Sequence, residues 1–452
     1  ETVSYQRLVN GQRVIIKPDV ASKDDTLLQH AMSEDFDQLM QNKGLSKLAR
    51  EETQSHVSME ATSDSVIIQR LNAIPTSLQF TYNKQVRRLI EMYIEKRQRQ
   101  VSLMAGLGEH YFPMFEEVLY NSGLPLELKY LPVIESALNP KAFSRAGASG
   151  LWQFMYSTGK MYGLRVNTLV DERRDPLKST HAATNYLKDL YERYGDWMLV
   201  IAAYNCGPGH VNRAMRITGK ADFWDIYQYL PRETRGYVPA FVAAIYVMHY
   251  HGVHGISPVT VPYPAQNKYV EINRKLHFKQ VAEKLDIPLE TLEQLNPQYK
   301  YQIVPGTSSE AYSLNLPGEK ALDFMQQADS IYAYKDSIYL HTTRTKKIAS
   351  RSRSRSHSSR SYEPPDIKGK AKVYYTIRTG DNMGFIAEWF DVQASHIRYW
   401  NNLRGNRIIA GKRLLIYVPE GKKDYYQNLA QKTFAEKQEA TGNTTKAQKQ
   451  AH

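Results

Sequence analysis

From about residue 66 to 255, apolar positions recur with a helical period and polar residues separate them. The clearest apolar stripe precedes a charged run and comprises Val86, Leu89, Ile90 and Tyr93. Asp175-Pro176 predicts the start of a later helix that stops at Gly195, and a further helix is predicted from 234 to 250 across Pro239. The pattern therefore predicts an almost entirely helical region.

After residue 255, short alternating stretches replace the helical period. Between 373 and 419, Tyr375 and Ile377 alternate in one strand, a return strand closes the segment, and two helical stretches lie between them. Gly380-Asp381 supplies a turn that can cap the first of these helices. The same order recurs more weakly from 268 to 318, which predicts two copies of a small βααβ unit.

At 452 residues the chain is too long for one hydrophobic core, so several domains are expected. The predicted fold class is a mainly α domain followed by small α+β modules. The predicted regions are a polar, partly disordered or partly helical segment at 1–65, a helical entry region at 66–120, a helical domain at 121–255, βααβ modules at 268–318 and 373–419, a basic linker at 343–372 and a polar, frayed tail at 420–452.

Cysteine usage and hydropathy narrow the class of protein. Cys206 is the only cysteine, so an intrachain disulfide or a zinc site built on paired cysteines is excluded. A nucleophilic Cys206 with His210 nearby is an alternative to the simpler interpretation as a small buried residue. No apolar run approaches the ~18 residues of a membrane span. The chain begins at Glu1, so we expect a processed precursor, and a lipid anchor on an upstream residue stays open.

The linker at 343–372 accounts for most of the net charge of +13. It holds ten Lys or Arg residues against Glu363 and Asp366, a net +8, and its Arg-Ser repeats are too polar to pack a core. Arg-Ser tracts also occur in RNA-binding proteins, but no aromatic nucleic-acid motif accompanies this one. We expect a flexible linker attracted to anionic wall polymers or lipid head groups, and no nucleic acid partner.

Glu135 is the candidate acid. Leu128 and Leu131 precede it at helical spacing, so its carboxyl is expected on the inward stripe, where desolvation would raise its pKa. Pro132 predicts a kink that leaves the facing of Glu135 open. Taken alone, a solvated glutamate at a helix end is the alternative interpretation.

Most glycosidases need a second carboxylate. The chain has no Asp or Glu from 136 to 170, although Asp171, Glu172 or Asp175 could still supply one in three dimensions. Gly147 to Phe154 forms a Gly-rich turn with an amide and a hydroxyl, and Ala203 to Gly209 ends a later helix that Asp196 can cap. One carboxylate is therefore expected to act as both acid and base.

This ordered set resembles the lysozyme-like (SLT) catalytic domain of lytic murein transglycosylases. The resemblance implies a catalytic Glu135, no cofactor or metal, and cleavage of the bond between N-acetylmuramic acid and N-acetylglucosamine with formation of 1,6-anhydro ends. The implied substrate-binding residues are Ser144, Gln153, Tyr204, Asn205 and Tyr237. For Asn205, an amide that satisfies free carbonyls at a helix end is the local alternative.

The segment at 373–419 is similar to a LysM domain, which binds N-acetylglucosamine polymers. The resemblance implies a groove formed by Gly380, Asp381, Asn382, Met383 and Ile408, although Asn382 and Met383 stand where the family usually has Thr and Leu. A βααβ domain that binds protein is the alternative. The copy at 268–318 lacks the Gly-Asp-Thr turn, so we expect its fold without sugar binding.

The expected protein is thus a peptidoglycan-cutting enzyme of the periplasm or cell envelope whose partner is the glycan strand. The oligomeric state is not indicated by the sequence. Three alternatives stay open: a muramidase or chitinase on the same fold, a catalytically silent wall-binding protein, and an RNA-associated protein.

Overall fold

The computed structural model describes residues 5–9, 12–16, 62–340, 366–367, 369–378, 381–401, 403 and 408–441. The chain forms two compact units, one from residues 1–188 with 231–355 and the other from 189–230 with 356–452. Most of the predicted linker at 343–372 and residue Gly380 lie outside the described residues, so their predicted roles are untested.

Helices dominate the described residues of both units. In chain order they are α1 (Asp64–Ala73), α2 (Lys84–Glu91), α3 (Gln98–Asn121), α4 (Leu131–Ser136), α5 (Tyr156–Met161), α6 (Pro176–Tyr194), α7 (Trp197–Cys206), α8 (Pro208–Thr218), α9 (Phe223–Ile226), α10 (Arg232–Tyr250), α11 (Phe278–Leu285), α12 (Leu289–Leu295), α13 (Gly318–Ala333), α14 (Asp336–Tyr339), α15 (Met383–Trp389), α16 (Ala394–Trp400), α17 (Lys423–Gln431) and α18 (Phe434–Ala440). A π-helical turn (Met92–Lys96) follows α2, and 3-10 turns occupy Leu126–Tyr130, Glu172–Arg174, Tyr227–Tyr229, Gly252–His254 and Glu420–Lys422.

The predicted helical stripe is confirmed. All four of its side chains are buried, and Asn83 begins α2 by accepting a hydrogen bond from the Val86 amide. α6 begins at Pro176 and stops before Gly195, as the sequence predicts. Asp196 then caps α7, because its Oδ1 accepts from the Leu199 amide at 2.8 Å.

Strands are few and short. They are β1 (Tyr5–Val9), β2 (Gln12–Ile16), β3 (Phe80–Tyr82), β4 (Asn267–Ile272), β5 (Lys275–His277), β6 (Ile303–Pro305), β7 (Tyr312–Pro317), β8 (Lys370–Thr376) and β9 (Arg413–Pro419). β1 pairs antiparallel with β2, which pairs parallel with β3. The sequence pattern of 1–65 did not predict β1 and β2, and residues 17–61 are outside the described part.

The first βααβ module lies in the first unit. β4 pairs antiparallel with β7, and β5 pairs antiparallel with β6. Along the chain, α11 and α12 lie between β5 and β6. The core also includes Ala321, Phe324 and Ile331 of α13. This module therefore continues past the predicted boundary at 318 to the end of α13.

The second module lies in the second unit and has the predicted order of strand, helix, helix and strand. β8 and β9 pair antiparallel, with Val373 opposite Ile416 and Tyr375 opposite Leu414. Alternate side chains of both strands are buried against α15 and α16, as their period-2 pattern predicts.

The prediction of a frayed tail after 420 is wrong as far as the described residues extend. α17 and α18 follow β9, and α17 contributes Tyr426, Leu429 and Ala430 to the module core. These residues have the spacing of one helical face, a signal that the polar composition of the tail obscured. Lys437 of α18 is fully buried and donates a hydrogen bond to the Tyr375 hydroxyl.

One asparagine joins the second helix to the last strand in each module. In the first, Asn296 Nδ2 donates to the carbonyls of Leu292 and Asn315, and Asn296 Oδ1 accepts from the Asn315 amide. In the second, Asn401 makes the equivalent three bonds to Ile397 and Leu415. These bonds identify the repeat more directly than the hydrophobic pattern does.

Candidate active site

Glu135 lies in the last turn of α4, a helix of only six residues. Pro132 occupies the first turn of this helix, where its missing amide hydrogen costs no hydrogen bond, so the expected kink is absent. The helix then ends abruptly, because Ala137 and Leu138 both have left-handed backbone with φ of 50° and 59°. Both residues are fully buried, so packing holds this uncommon backbone conformation beside the acid.

Glu135 is paired with Tyr237 of α10. The Tyr237 hydroxyl donates a short hydrogen bond to Glu135 Oε1, so the structure brings together two of the predicted site residues from 102 positions apart. Burial raises the pKa of Glu135 to about 7, although the hydrogen bond from Tyr237 acts in the opposite direction. A carboxyl with this pKa holds a proton near neutral pH and can donate it to a leaving oxygen.

The Gly-rich segment after α4 forms a set of tight turns. The Ser144 amide donates to the Ala148 carbonyl and its Oγ accepts from the Ala148 amide, both at 3.0 Å. Gln153 has left-handed backbone with φ of 47°, and its Nε2 donates to the Gly150 carbonyl at 2.7 Å. Ser136 Oγ donates to the Leu151 carbonyl, which ties this segment to the helix of Glu135.

A buried ion pair that the sequence analysis missed holds this segment. Asp171 and Arg173 pair through two hydrogen bonds of 2.8 and 2.9 Å, and Arg173 also donates to the carbonyls of Gly147 and Phe154. Gly150 packs so closely on the Arg173 carbonyl that a Cβ at 150 would lie 1.8 Å from its oxygen. The run of charged residues from Asp171 to Asp175 is the only feature of the sequence that could have indicated this ion pair.

Asp171, Glu172 and Asp175 are the three candidates for a second carboxylate that the sequence left open. Burial would raise the pKa of Asp171, but the hydrogen bonds and charge of Arg173 outweigh it and lower that pKa. Glu172 is buried and ion-paired with Arg165 and Lys178, which lower its pKa in the same way. All three carboxylates thus have structural partners, since Asp175 caps α6 through the Lys178 amide.

Tyr204 and Asn205 lie in the last turn of α7, in the second compact unit. Tyr204 is half-buried and Asn205 is exposed, and the helix stops at Gly207, whose φ is 83°. The Cys206 thiol donates to the Ala202 carbonyl of the same helix at 3.2 Å. The placement of Tyr204 and Asn205 beside Glu135 stays a prediction.

The structure changes the predicted sugar groove of the second module. Met383 is 2% exposed and belongs to the core, so its side chain is not a groove residue. Asn382, rather than Asp381, caps α15 by accepting from the Phe385 amide at 2.9 Å. Asp381 instead accepts from the Tyr375 hydroxyl and the Arg378 amide, and Ile408 packs against the core.

Comparison with known families defines the class of protein. Residues 114–227 match the Transglycosylase SLT domain, 266–333 match the LysM-like domain of lytic transglycosylase MltD, and 375–416 match the LysM domain. The chain belongs to the lytic murein transglycosylase family.

Among its relatives is membrane-bound lytic murein transglycosylase D of Escherichia coli K12, with 30% identity over 344 residues, which cover 74% of this chain and 69% of the relative. Soluble lytic murein transglycosylase of the same organism is 34% identical over 175 residues, or 35% of this chain and 27% of that protein. The crystal structure of the 70 kDa soluble enzyme from Escherichia coli aligns over 52% of this chain and 46% of that chain at 21% identity with a TM-score of 0.29. Within the described residues, no helix is long and apolar enough to cross a membrane.

Proposed function

We propose that this chain cleaves the β-1,4 bond between N-acetylmuramic acid and N-acetylglucosamine in peptidoglycan, with Glu135 as both acid and base. The observation that carries this proposal is the contrast between Glu135 and the next three acids along the chain. Glu135 lacks a cationic partner in the described hydrogen bonds and ion pairs and has a pKa of about 7. The three nearest acids that follow it are occupied by structural partners.

The reaction needs one proton carrier. Protonated Glu135 donates its proton to the glycosidic oxygen as the bond from that oxygen to the anomeric carbon breaks. The acetamido group of the substrate stabilises the positive anomeric carbon, and the C6 hydroxyl of the same sugar then bonds to that carbon. Glu135 takes the C6 hydroxyl proton, so the enzyme returns to its starting state and the product carries a 1,6-anhydro ring.

Tyr237 orients the acid. Its hydroxyl fixes one carboxyl oxygen of Glu135, which directs the other oxygen toward the substrate. Ser144 and Gln153 are proposed to contact the sugar from the turns that Arg173 holds. By resemblance to the family, Tyr204 and Asn205 would contact it from α7.

The second module is proposed to retain the enzyme on insoluble wall through Asp381, Asn382 and Ile408, together with Gly380. Removing residues 366–441 should weaken retention on sedimented wall while cleavage of short soluble glycans continues. Equal loss of both would contradict this division of labour. Because α17 and α18 complete the core, the deletion has to include them, and an isolated module that ends at 419 would lack part of its core.

The proposed location is the cell envelope, in keeping with the name of the membrane-bound relative from Escherichia coli. The linker at 343–372 would add salt-sensitive attraction to anionic polymers or lipid head groups. A lipid anchor upstream of Glu1 belongs to this proposal and is tested by mass analysis of the protein isolated from its native membrane.

Product analysis separates the proposed reaction from hydrolysis. Purified wall is digested in ¹⁸O-labelled water and the released fragments are weighed. We expect 1,6-anhydro-N-acetylmuramic ends without label. Labelled reducing ends would identify a muramidase, and an absence of fragments under conditions that permit binding would identify a wall-binding protein.

A further inference from the structure

A polar cavity lies within the first unit, and neither Glu135 nor Tyr237 is among its lining residues. Its volume is about 520 Å³, which is within the range of small-ligand sites. Its lining includes the cations Lys141, Arg174, Lys279 and Lys300, the acid Glu293 and several aromatic side chains.

Two parts of the unit form this cavity, and they are firmly joined. The Asp171 amide donates to the Gln298 carbonyl and the Lys300 amide to the Leu169 carbonyl, both at 2.9 Å. Arg165 adds an ion pair with Glu310 at 2.6 Å. The cavity is therefore a built site between the SLT-matched region and the LysM-like module.

The cavity is strongly basic. Lys141, Arg174, Lys279 and Lys300 line it, and none of the ion pairs described within residues 62–340 involves these four side chains. Lys300 Nζ also donates to the Asn167 carbonyl at 2.7 Å. Glu293, the one acid in the lining, accepts a hydrogen bond from Gln302.

The cations also oppose one another. Partial loss of solvent lowers the pKa of Lys141, and the charge of Arg174 adds to this effect while Glu293 opposes it. Loss of solvent likewise lowers the pKa of Lys300, with Asp171 opposing the effect and Arg174 adding to it. A bound anion would relieve this repulsion.

The walls suit an extended organic anion better than a compact inorganic one. His277 stacks on Tyr339 with ring centroids 5.3 Å apart, and the Tyr301 ring is exposed on the same lining. Ring faces together with four cations suit an organic anion that carries several carboxylates, because the rings offer apolar surface that inorganic phosphate would not use.

The cavity adjoins the catalytic segment. Lys141 follows Glu135 by six residues, on the loop that leads to Ser144. Arg174 Nε donates to Ser149 Oγ at 3.0 Å, inside the Gly-rich turns. An anion bound here would therefore be close to the loop that is proposed to contact the sugar.

We propose that this cavity binds the carboxylates of the short peptide attached to the muramic acid of the glycan strand being cut. This inference rests on the proposed function, because the peptide is the acidic part of that substrate. The LysM-like module, which lacks the sugar-binding turn, thereby contributes to recognition of the peptide.

The test compares glycan strands that carry peptides with strands stripped of them. In the Lys141→Gln/Lys279→Gln variant, both altered side chains are exposed, so the fold should persist. The ratio of kcat/KM for peptide-bearing to stripped strands should fall about tenfold, the size expected when two charged contacts are removed. The Lys141→Arg/Lys279→Arg variant should retain the ratio.

A matched control is Lys268→Gln/Lys284→Gln, which removes two exposed charges from the same module outside the cavity and should leave the ratio unchanged. An unchanged ratio in the Lys141→Gln/Lys279→Gln variant would overturn the cavity assignment while cleavage itself persists. Failure of the wild-type protein to cut either strand would instead contradict the proposed function.

Direct binding identifies the anion. Glu135→Gln protein is titrated by calorimetry with a synthetic stem peptide and, separately, with inorganic phosphate, at low and high salt. We expect salt-sensitive binding of the peptide that the Lys141→Gln/Lys279→Gln changes remove. Phosphate binding as tight as peptide binding, or no peptide binding at low salt, would overturn the assignment.

Discussion

The half-buried carboxyl of Glu135 and the buried carboxylates of Asp171 and Glu172 belong to the same compact unit, but their pKa values are shifted in opposite directions. Burial raises the pKa of Glu135 to about 7, and a neutral tyrosine hydroxyl only partly offsets it. At Asp171 and Glu172, arginine and lysine partners outweigh burial and lower the pKa. The partner of a buried acid thus decides whether it carries a proton or a fixed charge.

Asp175 extends this comparison. It caps α6, but burial still raises its pKa to about 6, since backbone amides compensate less than a cationic side chain does. A raised pKa therefore does not by itself identify a catalytic acid. Glu135 differs because its hydrogen-bond partner is a tyrosine from a distant helix and its neighbours have uncommon backbone geometry.

The largest expected effect is loss of the transferable proton. Glu135→Gln keeps the size of the side chain, and the rate of wall cleavage should fall by at least ~10²–10⁴-fold, as for loss of general acid-base catalysis. Release of soluble fragments measures the rate. Glu117→Gln, an exposed change on α3, is the control. Near-normal cleavage by Glu135→Gln would show that another residue is the acid.

Removing one member of a buried ion pair should lower the stability of the fold. Asp171→Asn leaves the buried Arg173 without its partner, and the free energy of unfolding should fall by ~3–5 kcal/mol. Thermal or denaturant unfolding measures the change. Asp329→Asn removes one member of an exposed pair with Arg274 and should have little effect. Equal effects of the two changes would contradict the structural role of the Asp171–Arg173 pair.

Glu135, whose described partner is a neutral tyrosine hydroxyl, should instead reduce stability as pH rises. Unfolding restores the ordinary pKa of about 4.5, so between that pH and about 7 the folded state binds more protons and loses stability with increasing pH. Glu135→Gln should therefore stabilise the protein at pH 7 by up to ~3 kcal/mol, but not at pH 4. Unfolding curves across this range provide the test, and a pH-independent difference would show that the pKa of Glu135 is not raised.

The smallest expected effect concerns the hydrogen bond between the two site residues. Tyr237→Phe removes the bond that lowers the pKa of Glu135, so the alkaline limb of the kcat/KM profile, near pH 7 in wild type, should move to higher pH. At the optimum the rate should fall about tenfold, the effect of losing one ~1.4 kcal/mol hydrogen bond. An unmoved limb with a lower rate would assign Tyr237 to substrate contact alone.

Local sequence signals were sufficient for much of the fold. The helix cap at Asp196, the stop at Gly195 and the strand alternation of the second module depend on neighbouring residues, and the structure has them. Glu135 and Tyr237 were linked only by resemblance, because no local pattern reports a contact across 102 positions.

The missed features depend on tertiary contacts. Arg173 fixes carbonyls 19 and 26 residues away, and nothing in the sequence around it indicates those partners. Met383 was assigned to a groove by its place after the turn, but α15 directs it into the core. The polar composition after residue 420 obscures the helical spacing of Tyr426, Leu429 and Ala430, which form the buried face of α17.

The asparagine shared by the two modules has a consequence for how such repeats diverge. Asn296 and Asn401 each satisfy three main-chain groups, and none of those bonds involves the turn before the first helix of the module. The turn can therefore differ between the two modules while the same side chain holds the second helix to the last strand in both. The module that runs from β4 to the end of α13 shows this freedom, because it has the asparagine without a Gly-Asp turn.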